Sequence, residues 1–358
     1  MKEILIIHPE LHHYRIPIFN KLGERYQITV AHSGVLRSLE EQVKFSEVKV
    51  NIIKIGPFVI QKDLFNLCQK ADYIIAGFDL HYINSFLLSI VFKEKFIWFG
   101  HGFGKSKVAN FIKLFFVKCA KSILVYTKDG KNKLVKAKID KNKIFITDNT
   151  LYIPNLEYNS ILKRDHIIYV GRLQKRKKID ELIIAFSKIQ DIYCLKIKLL
   201  IIGDGPIKHD LEELSIELGI KELVEFKGKI TDNEILKKYF QSSLAYISPG
   251  DIGLGVLHSF AYGVPVITRE IASHGPEFSN LKKYKNSLLY DGSVDELTLL
   301  IEMLIKNVSI SRYLGLNGFY FFKNERSIEN MLNAFLSSIH YCGLPILPNL
   351  SRDNSKDS

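Results

Sequence analysis

Residues 248–277 read SPGDIGLGVLHSFAYGVPVITREIASHGPE, and the rest of the chain is organised around them. Ser248, Pro249 and Gly250 are turn chemistry. Gly253 and Gly255 keep the following turn free of bulk, so that backbone N–H groups face an anion at a helix start. Leu254, Leu257, Ala261 and Tyr262 follow at helical spacing. Gly263 ends that helix, and residues 264–267 (VPVI) make a short buried strand. A second loop, closing on His274, Gly275, Pro276 and Glu277, brings polar groups back to the same edge. Loop, helix, strand and loop together describe a cradle for a ligand that is both phosphorylated and hydroxylated.

Upstream of this stretch the pattern is strand–helix alternation. Strands are expected at 166–170, 197–202, 224–226 and 244–247, with helices at 179–189, 207–218 and 232–241. The first half of the chain repeats the scheme, with strands at 4–8, 28–31, 51–55, 73–76, 96–99, 123–126 and 144–147. Helical patterns lie at 16–25, 83–92, 108–120 and 128–136. Such alternation means parallel sheets covered by helices on both faces, which bind ligands outside the carboxyl ends of their strands. Residues 151–165 lack a period and read as a linker. The expected fold is α/β, two doubly wound Rossmann-like domains facing across a cleft. The first spans 1–155 and the second 156–326; a helix at 327–345 crosses back to the first, and 346–358 is a polar tail.

Composition bounds the function. At 358 residues, 47% of them hydrophobic, the chain is globular and long enough for two cores. Its longest apolar run, 86–92, falls far short of the roughly 20 residues that span a bilayer. No apolar leader with a small-residue cleavage site follows Met1, so the expectation is a cytoplasmic protein. The cysteines at 68, 119, 194 and 342 fit no Cys-x-x-Cys spacing and read as buried thiols, not metal ligands. Net charge is +12, and from Lys105 to Lys143 twelve lysines face only Asp129 and Asp140, a local excess of +10. A solvated face and contact with an anionic membrane are the two readings of this segment. Nucleic acid ranks below both, because no zinc-finger, helix-turn-helix or RNP-type signature accompanies the charge.

Several loops carry candidate chemistry. Gly171, Arg172 and Lys177 lie between a strand and a helix, where two cations and free N–H groups suit a diphosphate. Gly203, Asp204, Gly205 and Pro206 end the next strand, without the third glycine of a dinucleotide fingerprint. In the first half, His101 stands between Gly100 and Gly102 directly after a strand, a position that faces ligand. His12, His13 and Arg15 occupy the loop after the first strand, where helix capping explains them equally well. No Asp-x-Asp pair and no His-Glu-x-x-His occurs, so no metal is expected.

With these residues in hand, the second half resembles the family-4 retaining glycosyltransferases of the GT-B fold, in a branch similar to bacterial surface-polysaccharide transferases. The matching pieces are Val170 to Leu173 with Lys177, residues 202–206 (IGDGP), residues 226–230 (FKGKI), and Gly253 through His258 to Ile267, extended by Pro276 and Glu277. Looser matches in the first half are residues 14–17 (YRIP), 98–102 (WFGHG) and 148–150 (DNT). The resemblance implies that Arg172 and Lys177 hold the diphosphate of a nucleotide-sugar donor. The backbone of Lys229 and Ile230 faces the base, His101 faces the donor sugar, and His12, His13, Arg15 and Asn149 lie on the acceptor side. It implies no cofactor besides the UDP- or GDP-linked donor substrate, and an acceptor that is a glycan, polyprenyl-diphosphate-linked if the lysine segment meets the inner membrane leaflet. One departure stands out. The family carries a glutamate at each end of the glycine-bearing loop, where this chain has Gly250 and His258. Asp251 and Glu277 are both open as replacements. A non-catalytic nucleotide-sugar or glycan-binding subunit and a nucleotide-sugar epimerase are the alternatives to a transferase.

Overall fold

The apolar runs of the first half are buried continuously, not alternately; Ile4, Leu5, Ile6 and Ile7 are each at most 2% exposed. Strands of that composition need cover on both faces and therefore belong to parallel sheets. In the computed structural model, which describes residues 1–37, 42–104, 106–159, 162–193 and 197–343, this is what forms. Lys105, Cys194 and the tail expected at 346–358 lie outside the described residues.

The chain divides into two units, the first comprising Met1–Thr147 together with the chain from Met331 onward, the second Asp148–Asn330. Unit 1 runs β1 (Glu3–His8), α1 (Ile16–Gly23), β2 (Gln27–His32), β3 (Ser46–Lys49), β4 (Ile52–Ile55), β5 (Phe58–Gln61) and α2 (Leu64–Lys70). It continues with β6 (Tyr73–Gly77), α3 (Ile83–Val91), β7 (Phe96–Gly100), α4 (Lys107–Cys119), β8 (Ser122–Val125), α5 (Lys128–Lys136) and β9 (Ile144–Ile146). Its seven-stranded parallel sheet has the order β3-β2-β1-β6-β7-β8-β9. The expected strand at 51–55 does not enter that sheet. It pairs antiparallel with β5 as a separate hairpin, and β3, which sequence periodicity misses, takes the edge. Around Trp98, fully buried, the rings of Phe78, Phe86 and Phe96 pack at centroid distances of 4.7–5.0 Å.

Unit 2 runs β10 (His166–Val170), α6 (Ile179–Tyr193), β11 (Lys198–Ile202), α7 (Lys208–Glu217), β12 (Val224–Gly228), α8 (Asn233–Gln241) and β13 (Ser243–Ser248). Then come α9 (Gly255–Ala261), β14 (Val266–Arg269), β15 (Ser287–Tyr290), α10 (Val294–Lys306) and α11 (Val308–Glu325). The six strands are ordered β12-β11-β10-β13-β14-β15, all parallel. The division between units falls at Thr147/Asp148, ahead of the linker read from the sequence. Asp148 and Thr150 explain the shift: the Asp148 carboxylate lies 3.2 Å from Arg326, and the Thr150 hydroxyl donates to the Arg326 carbonyl. A last helix, α12 (Ile328–Gly343), packs on the unit 1 sheet. Phe335 meets Phe99 at 5.1 Å, and the Ser122 and Ser338 hydroxyls hydrogen-bond at 2.7 Å.

Two measurements test this packing. Phe335 is fully buried, so Phe335→Ala should cost about 3 kcal/mol and lower the urea midpoint of unit 1. His8 ends β1, where its Nδ1–H donates to the Glu10 carbonyl at 2.8 Å. Burial, reinforced by the nearby Arg15 cation, lowers its pKa from 6.5 to about 4. The unfolded chain therefore takes this proton first as pH falls. Stability should be at its plateau above pH 6.5 and decline towards pH 4 by up to about 3 kcal/mol from this residue. His8→Gln should flatten that part of the profile of melting temperature against pH.

Candidate active site

In both sheets the strand order reverses once, between β1 and β6 and between β10 and β13. Crevices open at such switch points, outside the carboxyl ends of the strands. In unit 2 this brings the loop after β10, Gly171 to Lys178, against the loop after β13, Pro249 to Leu254. The two are joined through their main chains: Gly250 N–H donates to the Lys177 carbonyl at 3.0 Å and Asp251 N–H to the Arg176 carbonyl at 3.4 Å. Glycine is required for that approach. A Cβ on Gly250 would overlap the Arg176 carbonyl oxygen, one on Gly203 the carbonyl of Gly171, and one on Gly205 that of Leu173. Gly203 N–H in turn donates to the Gly228 carbonyl at 2.8 Å, so the segment leading to Lys229 and Ile230 joins the same edge. Asp204 caps its own turn, accepting from Gly205 N–H at 2.8 Å.

Charge is concentrated at this junction. The Lys177 ammonium donates to the Asp251 carbonyl at 2.6 Å and stands 3.8 Å from its carboxylate, which also pairs with Arg176. Burial pulls the Lys177 pKa below 10.5, opposed chiefly by Asp251. Arg172 is exposed; its carbonyl accepts from the Tyr169 hydroxyl at 3.0 Å, while its guanidinium has no hydrogen bond or ion pair among the described residues. Two turns later, Val256 and Leu257 N–H groups are taken by the carbonyls of Gly253 and Leu254, whereas no described acceptor takes the N–H of Gly253, Leu254 or Gly255. A Cβ on Gly253 would meet nothing within 4 Å. The junction thus presents cations and unclaimed N–H donors on an open side.

The glutamate question resolves sterically at one end. No side chain fits at Gly250, because the turn at Arg176 and Lys177 fills the space. Asp251 is committed to the two cations, and Glu277, 5% exposed, accepts from Asn149 Nδ2 at 2.8 Å. Asn149, expected on the acceptor side, is therefore placed within unit 2. Beside Glu277, His274 stacks on Phe278 at 4.2 Å, donates through Nε2 to the Arg269 carbonyl and accepts from Ile252 N–H through Nδ1. Burial lowers its pKa. His258, on α9, lies parallel to Phe240 at 6.1 Å.

In unit 1 the loops after β1, β7 and β8 meet. Arg15, 3% exposed, donates to the Tyr126 hydroxyl at 3.0 Å and lies over the rings of Phe99, Tyr14 and Tyr126 at 5.1–5.3 Å. It is a caged cation inside the loop. His12 and His13 both pack on Tyr14, at 5.3 and 5.6 Å. His101 stands edge-on to Tyr126 at 4.8 Å and follows the β7 turn through Gly102, whose φ of +73° favours glycine. Burial first, then Lys113 and Arg15, hold its pKa below 6.5, so the ring is neutral near pH 7. Sequence reading missed Tyr126 and Arg176. The first looked like a strand end, and the second was hidden in the run KRKK. Among the described residues, no cluster of His, Cys, Asp and Glu is arranged to hold a metal ion.

Residues 157–319 match the sequence family described as "Glycosyl transferases group 1". The alpha-monoglucosyldiacylglycerol synthase of Streptococcus pneumoniae is 30% identical over 201 residues, 53% of this chain and 42% of that protein. The lipopolysaccharide core biosynthesis glycosyltransferase LpsE of Rhizobium meliloti is 26% identical over 48% of each. The match thus spans less than half the length of these two relatives. In three dimensions, Anabaena Alr3699/HepE in complex with UDP superimposes with a TM-score of 0.75 at 14% identity, covering 95% of this chain and all of that one. Residues 157–319 are thus similar to the group 1 glycosyl transferases, and the chain as a whole has the two-domain GT-B fold of the structures it superimposes on.

Proposed function

We infer that the protein transfers a sugar from a nucleotide diphosphate sugar to a hydroxyl of a glycan acceptor, in the synthesis of a bacterial surface polysaccharide. The observation that carries this reading is the Lys177 ammonium fixed at the Asp251 carbonyl, beside three unclaimed N–H groups at residues 253–255. As the bond from sugar to phosphate breaks, negative charge grows on the departing diphosphate. Lys177 and the N–H groups are oriented before the reaction, and Arg172 adds a second cation. A preorganised donor of this type lowers the barrier by about 3–4 kcal/mol. Two side-chain cations take the part that a metal plays in other transferases. The leaving phosphate takes the acceptor's proton, and attack on the same face retains the anomeric configuration, as the family resemblance implies. HepE was captured with UDP, which supports a uridine donor here. The streptococcal and rhizobial relatives are named for work on a glycolipid and on lipopolysaccharide core, which supports a lipid-linked acceptor.

One observation favours a second reading: Gly250 leaves no carboxylate where the family places one, as a non-catalytic sugar-nucleotide-binding subunit would. Turnover separates the two. Melting temperatures measured with a panel of UDP- and GDP-sugars identify the donor by its upward shift. With that donor and a glycan acceptor, Lys177→Ala should lower kcat about 100- to 1000-fold. Arg172→Ala should weaken donor binding and slow turnover. Gly250→Glu should fail to improve either, since its side chain collides with the turn at 176–177. Release of free nucleotide without acceptor would mark an epimerase, and donor binding without any turnover a binding subunit.

A further inference from the structure

Unit 1 exposes apolar surface that its own packing does not need. On α4, Val108, Phe111, Ile112 and Phe115 recur at helical spacing and share one face; Val108 is 72% exposed and Phe111 78%. The opposite face of that helix is the one the core uses, through Val117, fully buried, and Phe116, which packs edge-on to Phe86 of α3 at 4.8 Å. Next to it, α3 turns Phe86 inward and leaves Leu87, Ile90 and Val91 outward, Val91 at 61%. Contiguous apolar patches of this kind mark an interaction surface.

Charge selects the occupant. α4 contains Lys107, Lys113 and Lys118 and no acidic residue. Lys113 is spent on the carbonyls of Phe78 and Gly102, but Lys107 and Lys118 are exposed. Positions 107, 111, 115 and 118 lie in one row along the helix, so a lysine closes each end of the apolar stripe. A second copy is a poor fit. A two-fold interface sets a patch against itself, and these lysines would then face lysines. The helix is 13 residues long, too short to cross a bilayer, and among the described residues no helix is long and apolar enough to do so. An amphipathic helix with an apolar stripe between lysines suits the plane of an anionic lipid surface.

We propose that α3 and α4 dock unit 1 on an anionic bilayer, with Val108, Phe111, Ile112 and Phe115 entering the boundary between headgroups and acyl chains, and Lys107 and Lys118 meeting lipid phosphates. This differs from a purely electrostatic contact spread over the lysine segment. Lys131 and Lys143 of that segment are turned to backbone carbonyls. The inference rests on the surface alone and stands whichever reaction the protein performs.

Flotation of the full chain with phosphatidylglycerol–phosphatidylcholine vesicles tests it, against phosphatidylcholine alone. The chain should float with the anionic vesicles, and roughly tenfold less or worse with neutral ones. Phe111→Ser combined with Phe115→Ser should reduce flotation at least about tenfold while leaving the melting temperature unchanged, since both rings are exposed. Lys107→Glu with Lys118→Glu should weaken binding and lessen its sensitivity to salt. Equal flotation with both vesicle types, or flotation indifferent to the phenylalanine changes, would overturn the proposal. So would sedimentation as a dimer that the same changes convert to monomer, because the stripe would then join two copies.

Discussion

The close approach of Gly250 to the turn at Arg176 and Lys177 is the constraint on which the rest of unit 2's loop edge depends. Two main-chain hydrogen bonds cross this contact, and a side chain at 250 would prevent both. Each bond is worth only about 1 kcal/mol net, so the contact matters less for stability than for placement. Because the loops touch through backbone, the Asp251 carbonyl falls within 2.6 Å of the Lys177 ammonium. Without the glycine, cation and glycine-bearing loop would be separate features. The same logic runs along the sheet edge through Gly171, Gly203 and Gly205, so several loops form one stacked surface.

Burial and charge then divide the work between the two cations. Lys177 is partly desolvated, which lowers its pKa, and Asp251 opposes that shift. Such an ammonium is held in one place at a desolvation cost that the carboxylate partly offsets. The Arg172 guanidinium is solvated and unpaired among the described residues, so it meets a ligand only by ordering its side chain. In unit 1 the contrast repeats with different chemistry. Arg15 is immobilised among aromatic rings, while His101 presents a neutral imidazole at a glycine-flanked turn.

Much of this was legible in the sequence, for reasons that can be named. Runs such as Ile4 to Ile7 are apolar on both faces, and only parallel strands bury both faces. Strand ends followed by glycine marked the loops at which Lys177 and His101 stand. What escaped notice depends on partners distant in sequence. α11 has no clean helical stripe because Gly315 and Gly318 sit where its backbone touches α9: a Cβ on Gly315 would overlap the Gly263 carbonyl, and one on Gly318 would stand 2.6 Å from the Phe260 ring. Residues 52–55 alternate no differently from a sheet strand, and only their exposure shows that they form a hairpin outside it. The lysine segment looked uniform. Lys143 nevertheless donates to three carbonyls at the end of α4, at 3.0–3.1 Å, and stabilises that helix terminus. The sequence departure at Gly250 was visible, but its steric cause required the neighbouring loop.

The return of α12 to unit 1 also has a bearing on synthesis. Phe335, Ser338 and Tyr341 cover Phe99, Ser122 and Phe145, residues translated some two hundred positions earlier. The ribosome must deliver the whole of unit 2 before that side of the first sheet can be closed. Nascent chains therefore carry a half-finished amino-terminal half, with apolar side chains bare, throughout the making of the second. Completion order is thus inverted relative to chain order: the unit begun last is finished first.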